Sequence, residues 1–236
     1  MKKVTKAIAA VMLMTAVFFT AEGLNAQTYN GHDYVDLGLP SGTLWATCNV
    51  GAEKPEQQGD YFAWGETKPK TIYDYDNYKY SKGDDNEHLI KYCNRSSFGY
   101  NGFTDNLTVL QSGDDAATTN WGDGWCTPTK EQWEELYENT DHTWKTRDGV
   151  SGRLFTGKNG AVLFLRAAGY PEYDMLENLD MHVNRDWKGY YWSSSLITDY
   201  PGYAWYFFFD SDHYIMDGTA RVIGYSVRPV RSVRQN

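Results

Sequence analysis

The sequence predicts an α+β domain of short antiparallel strands, with one or two helices and long loops. Three observations lead there. Apolar and aromatic runs too short for helices recur between Gly, Asp and Asn turn pairs, mostly in the second half of the chain. A complete helix-start signal occurs in one segment, Trp121–Leu136. No linker, repeat or low-complexity tract divides the 236 residues, so they form one domain behind an N-terminal leader.

That leader has the pattern of a signal peptide over residues 1–26. Met1–Lys6 is basic, Ala7–Ala21 is uncharged and apolar, and Leu24-Asn25-Ala26 places a small residue before the cut. The apolar run is short for a membrane span, and no cysteine follows it to carry a lipid. The expectation is an exported protein, periplasmic, cell-surface or secreted, with the domain at 27–236 and no transmembrane segment after cleavage. A net charge of −9 with no basic run argues against nucleic acid and anionic membrane as partners. Aromatic residues make up 16%, with 9 Trp and 19 Tyr, which suits both buried rings that pin loops and exposed rings that meet a ligand. Cys48, Cys93 and Cys126 allow one bridged pair with one thiol left over, or three reduced thiols.

In order, Tyr34–Leu37 reads as a first strand. Thr43–Cys48 is a second, with Leu44, Ala46 and Cys48 on one face and Trp45 on the other. Gly59–Trp64 follows. From Gly65 to Asn101 the chain is polar and studded with Tyr, and Lys79–Glu87 reads as a solvated loop. Asp114–Asn120 suits a short helical turn with Asp114 near its start. Thr129 and Gln132 then form a capping box, and Trp133, Leu136 and Tyr137 make an inward helix face. Thr143–Arg147, Leu154–Thr156 and Ala161–Arg166 read as strands joined at Asp148-Gly149 and Asn159-Gly160. Ala167–Asp186, with Tyr170, Pro171 and Tyr173, reads as an irregular insertion. In the C-terminal run Tyr190–Arg231, Ala204–Phe209 and Tyr214–Met216 are strands turned by Asp210–His213. Asp217-Gly218 is a further turn, and Tyr225–Val230 is a closing strand.

Several motifs then coincide in order over nearly the whole domain: VDLGLPSGTLWATCNVGA (Val35–Ala52), GDYFAWGET (Gly59–Thr67), DDAATTNWGDGWCTPTKEQWEEL (Asp114–Leu136), AAGY (Ala167–Tyr170), YYWSSS (Tyr190–Ser195) and GYSVRPVR (Gly224–Arg231). The set resembles the Fibrobacter succinogenes major paralogous domain family, abundant in secreted proteins of Bacteroides and relatives. That resemblance implies a C-type-lectin-like fold, shared with formylglycine-generating enzymes, whose C-terminal strands and loops display the ligand-binding face. Cys126 stands where the family often has a basic residue. The Glu-Pro-Asn, Gln-Pro-Asp and Trp-Asn-Asp tripeptides of calcium-dependent sugar-binding lectins are missing, and no cysteine lies beyond Cys126 for the oxidase chemistry of the formylglycine-generating enzymes.

No catalytic constellation stands out. Ser193-Ser194-Ser195 lacks a G-x-S-x-G elbow and suits hydrogen bonding at a strand end. The five histidines never fall at metal-ligand spacing, and Asp84/Asp85 lacks the ligand ladder of a calcium loop. The expectation is therefore a non-catalytic recognition domain with no cofactor and no metal, taking a protein or glycan ligand. Its candidate patch is Tyr200, Tyr203, Tyr206, Asp212, His213, Tyr214 and Arg221, with Trp187 and Tyr173 as additions. Trp205, Phe207 and Phe209 would face inward and Tyr206 outward, with the reverse parity as the alternative. Two other readings stay open: a structural or adhesin-like part of a surface assembly, and a glycan-active enzyme.

Overall fold

A computed structural model describes residues 27–174 and 179–232, with the side chains of 173–174, 179–182 and 232 outside the description. The leader 1–26 lies outside it, as does the side chain of Tyr173. The strands open with β1 (Gln27–Tyr29), β2 (His32–Asp36), β3 (Thr43–Ala46) and β4 (Tyr61–Phe62). Two helices follow, α1 (Ala116–Trp121) and α2 (Lys130–Glu138), and then β5 (Asp141–Arg147), β6 (Val150–Thr156) and β7 (Val162–Arg166). The remainder is β8 (Tyr170–Asp174), β9 (Leu179–Val183), β10 (Gly189–Leu196), β11 (Tyr203–Phe209), β12 (Tyr214–Ala220), β13 (Tyr225–Ser226) and β14 (Val230–Ser232). Two α-helices and mostly antiparallel strands among the described residues fit an α+β or mostly-β class. One sheet has the order β12-β11-β10-β13-β4, a second β1-β2-β3-β14, a third β5-β6-β7, and β8-β9 is a two-stranded ribbon.

The five-stranded sheet is covered on both faces. Strand alternation sends Tyr190, Trp192, Ala204 and Tyr206 into one apolar cluster, and Tyr191, Phe207 and Phe209 into the other. Thr43–Ala46 behaves the same way, with Leu44 and Ala46 in the first cluster and Trp45 in the second. The first cluster is roofed by α1 and the long loop through Tyr78, Tyr80 and Tyr92. The second is roofed by α2 and β6–β7, through Trp133, Leu136, Phe155, Leu163 and Leu165. Tyr206 is therefore 9% exposed, which corrects the expectation that it faces outward.

Helix α2 starts as its sequence dictates. Thr129 Oγ1 accepts from Gln132 N at 3.3 Å, and Gln132 Oε1 accepts from Thr129 N at 2.9 Å. Trp133 then stacks on Phe207 with centroids 4.9 Å apart and donates from Nε1 to the Trp192 carbonyl at 3.2 Å. Helix α1 is capped by Asp115, not Asp114: the Asp115 carboxylate accepts from Ala117 N and Thr118 N and also from Thr127. Asp114 lies one residue earlier and gathers Lys79, Lys91 and the Tyr92 hydroxyl.

Three further sequence expectations are corrected. Asp217-Gly218 is no turn but sits inside β12, where Tyr206 and Trp205 of β11 pair with it and override its turn propensity. The supposed insertion Ala167–Asp186 contains the β8–β9 hairpin. Lys79–Glu87 is not wholly solvated, because Tyr80 is buried and donates to the Gly65 carbonyl at 3.0 Å.

Arg221, expected in the surface patch, is 0% exposed. Its Nε donates to Tyr78 Oη at 2.8 Å, Nη1 to the Tyr92 and Pro201 carbonyls at 3.0 and 2.9 Å, and Nη2 to the Lys91 carbonyl at 3.1 Å. The guanidinium lies 5.0 Å from the Trp64 ring centroid and 5.4 Å from that of Tyr78. Replacing it strands three buried carbonyls. Arg221→Met is thus expected to lower unfolding free energy by about 3 kcal/mol or more, whereas Arg95→Gln, which breaks the exposed pair with Asp199, costs about 1 kcal/mol or less. Urea unfolding checks both, and equal losses would refute the assignment of Arg221 as a core strut.

Candidate functional site

The sequence-predicted patch does not assemble as one surface. Tyr200 and Tyr203 stand at the start of β11, ring to ring at 4.7 Å, with Phe98 4.7 Å from Tyr200 and Asn86 Nδ2 donating to the Tyr200 hydroxyl at 3.1 Å. Asp212, His213 and Tyr214 stand beyond its other end. The seven-residue strand β11 runs from one group to the other, roughly 20 Å. Tyr206 and Arg221 are buried between and beneath them, and Trp187 is 75% exposed on the turn after β9. Among the described residues Asp84 and Asp85 gather no ligand set either. The Asp85 carboxylate accepts from Glu87 N at 2.8 Å and pairs with His88 at 2.7 Å.

At the far end of β11 the Asp210–His213 turn is built by its own side chain. The Asp210 carboxylate accepts from Asp212 N and His213 N at 2.8 and 2.7 Å. Arg153 of β6, which sequence reasoning passed over, clamps this turn by donating to the Asp210 carbonyl at 2.7 Å. It also lies 5.2 Å from the Tyr214 ring centroid and 3.0 Å, through Nη1, from His142 Nδ1. Arginine only donates, so Nδ1 accepts and the His142 proton sits on Nε2. Burial and the neighbouring Arg153 charge hold the His142 pKa below its ordinary value.

A cleft with aromatic and apolar walls lies elsewhere, between β8 and the early part of the Tyr-rich segment. Ile72, Tyr73 and Asp74 form one wall, Tyr170, Pro171 and Glu172 of β8 the other, and Ile223 lies between; the cavity holds about 370 Å³. Each ring is fixed. The Tyr73 hydroxyl donates to the Tyr61 carbonyl at 2.6 Å. Its ring lies so close to Gly224 that a Cβ there would stand 2.7 Å from Tyr73 Cε1. Tyr170 stands edge-on to Tyr190 at 5.2 Å and 6.0 Å from Tyr225. Asp74 is anchored as a turn cap, accepting from Asn77 N at 3.2 Å, while Glu172 is exposed. The signals for this cleft were the Tyr-studded run after Gly65 and the Tyr170-Pro171 step; what sequence could not supply was their meeting.

All three cysteines are free thiols. Among the described residues no group of three or more His, Cys, Asp or Glu side chains is placed to hold a metal ion, and no helix is long and apolar enough to cross a membrane. No family model, curated protein or solved structure matches the chain.

The His142 contact has a pH consequence. A histidine whose folded pKa lies below its ordinary 6.5 favours the folded state above that value, and this contribution is lost as pH falls through the folded pKa. His32, stacked on Trp121 at 3.7 Å and shifted the same way by burial, adds to the effect. Stability is expected to fall from pH 7 toward pH 5, with a shallower fall in His142→Asn. An NMR titration placing the His142 midpoint above 6.5 would reverse the sign.

Proposed function

We propose that this chain is an exported, non-catalytic recognition domain that binds a glycan in the Tyr73–Tyr170 cleft. The observation that carries the reading is that cleft itself. Two fixed tyrosine rings and apolar neighbours offer flat faces for the C–H surface of a sugar ring, and Asp74 and Glu172 offer acceptors for its hydroxyls. The rings are held by other rings and by backbone hydrogen bonds, so little side-chain entropy remains to be lost on binding. The C-type-lectin-like fold and the Fibrobacter succinogenes major paralogous domain family belong to the same proposal. Their support is the ordered motifs from Val35 to Arg231, a small number of helices and a preponderance of short antiparallel strands. Export rests on the leader pattern of residues 1–26.

A second reading, a component of a surface assembly, is favoured by one observation. Strand β12 is a sheet edge and presents Ile215 at 55% exposure.

Screening the protein on a glycan array, with and without calcium, tests the first reading. Tyr170→Ala is expected to weaken a hit by about tenfold or more, and Tyr214→Ala to leave it unchanged. A hit lost in Tyr214→Ala and kept in Tyr170→Ala would move the site to the Asp210–His213 turn. Release of reducing ends from the bound glycan would overturn the non-catalytic reading. Concentration-dependent self-association abolished by Ile215→Lys, with a silent array, would favour assembly.

A further inference from the structure

A second, open cleft of about 560 Å³ is lined by the Gly51–Gly59 loop together with Arg166 and Arg185. Arg185 is one of several arginines without a carboxylate partner among the described residues, but unlike Arg221 and Arg228, which are buried, it lines a cleft. Its Nε is buried without a hydrogen bond, and among the described residues its guanidinium has no ion-pair partner. Its backbone is locked: Gly169 has φ +67°, and a Cβ there would lie 2.2 Å from the Val183 carbonyl and 2.7 Å from Arg185 N.

The neighbouring groups are committed in ways that leave donors toward the cleft. Arg166 donates to the Glu56 carbonyl at 2.7 Å and pairs with Asp186 at 3.2 Å, while its Nε is also buried and unpartnered. Glu56 is paired with Arg147 at 2.5 Å, so neither Glu56 nor Asp186 neutralises Arg185. Gln57 Oε1 accepts from Glu53 N and Lys54 N at 2.7 and 3.1 Å, which leaves its amide N–H groups as donors. Glu53, a carboxylate with no ion pair among the described residues, lines the same cleft. The set asks for a ligand with an anionic acceptor for Arg185 and hydroxyls for Glu53 and Gln57.

We infer that this cleft binds a hydroxylated carboxylic acid of the uronic-acid type, with Arg185 receiving the carboxylate. The site needs no calcium and stands apart from the Tyr170 cleft. A charge-assisted Arg–carboxylate contact in a partly buried setting sets the affinity, and the sugar hydroxyls set the choice of acid. The test follows the Arg Nε–H and Gln side-chain signals by NMR while sodium glucuronate is added at constant ionic strength, beside glucose and sodium acetate. Saturable shifts with glucuronate are expected, with at least about tenfold weaker binding for acetate, for glucose and for Arg185→Gln. Tyr170→Ala is expected to leave the glucuronate midpoint unchanged, which separates this site from the one proposed above. Equal midpoints for glucuronate and acetate would overturn the sugar-acid assignment. Unchanged glucuronate binding in Arg185→Gln would overturn the site.

Discussion

Two arginines with no exposed surface hold this fold to its loops. A chain so rich in irregular segments brings many backbone carbonyls into its interior without a strand or helix to satisfy them. Arg221 answers three of these around Lys91, Tyr92 and Pro201. Arg228 does the same at the end of β3, donating to the Ala46 and Thr47 carbonyls at 3.0 and 2.6 Å and to Asn49 Oδ1 at 2.8 Å. Neither is among the ion pairs with a carboxylate. Carbonyl dipoles and tyrosine faces take the place of a counter-ion, and desolvation pulls the Arg228 pKa down. Lysine, with a compact ammonium, cannot span acceptors on three separate segments, so the geometry of the guanidinium is the requirement rather than its charge.

From that constraint follows the placement of everything exposed. With loops drawn tightly over both faces of the five-stranded sheet, the aromatic alternation of β10 and β11 is spent on packing. Surface chemistry is displaced to the margins: the Asp210–His213 turn, the β12 edge, and the region where β4, β8 and the loop around Tyr73 converge. The last of these joins two clefts of different character on a common support. Tyr61 contributes to it by donating from its hydroxyl to the Ala168 carbonyl at 2.6 Å, with burial pushing its pKa up to about 12 so that it remains a donor. An aromatic-walled cleft and an arginine-bearing one are thus tied to the same rigid strand.

What was legible in the sequence was local. Thr129 and Gln132 announce a helix start because the capping box needs only its own four residues. Asp148-Gly149 announces a hairpin because both residues must take positive φ, 47° and 82° here. The alternation of Thr43–Ala46 was visible too, although not that both of its faces would be covered. Illegible features depended on distant partners. Asp217-Gly218 carries turn chemistry, yet seven cross-strand pairs with β11 keep it extended. Arg221 reads as a surface residue in the sequence because arginine is seldom fully buried, whereas its aromatic cage comes from residues far away in sequence, such as Trp64 and Tyr92. The Tyr73–Tyr170 cleft escaped notice for the same reason, since each wall alone reads as a polar loop.

The pairing of β14 with β3 has a kinetic meaning. Arg228 and the carbonyl of Ala46 that it satisfies are 182 residues apart along the chain, and β14 fills the sheet position beside β3 that would otherwise be an edge. Loop closure over such a distance must be completed before this contact returns any free energy, so it is entropically among the costliest of the fold to form. As the polypeptide is made from its N-terminus, β2 can pair with one side of β3 at once, while the other side stays open until β14 arrives. The open edge of β3 is therefore closed only after nearly all of the stretch between it and β14 has been made.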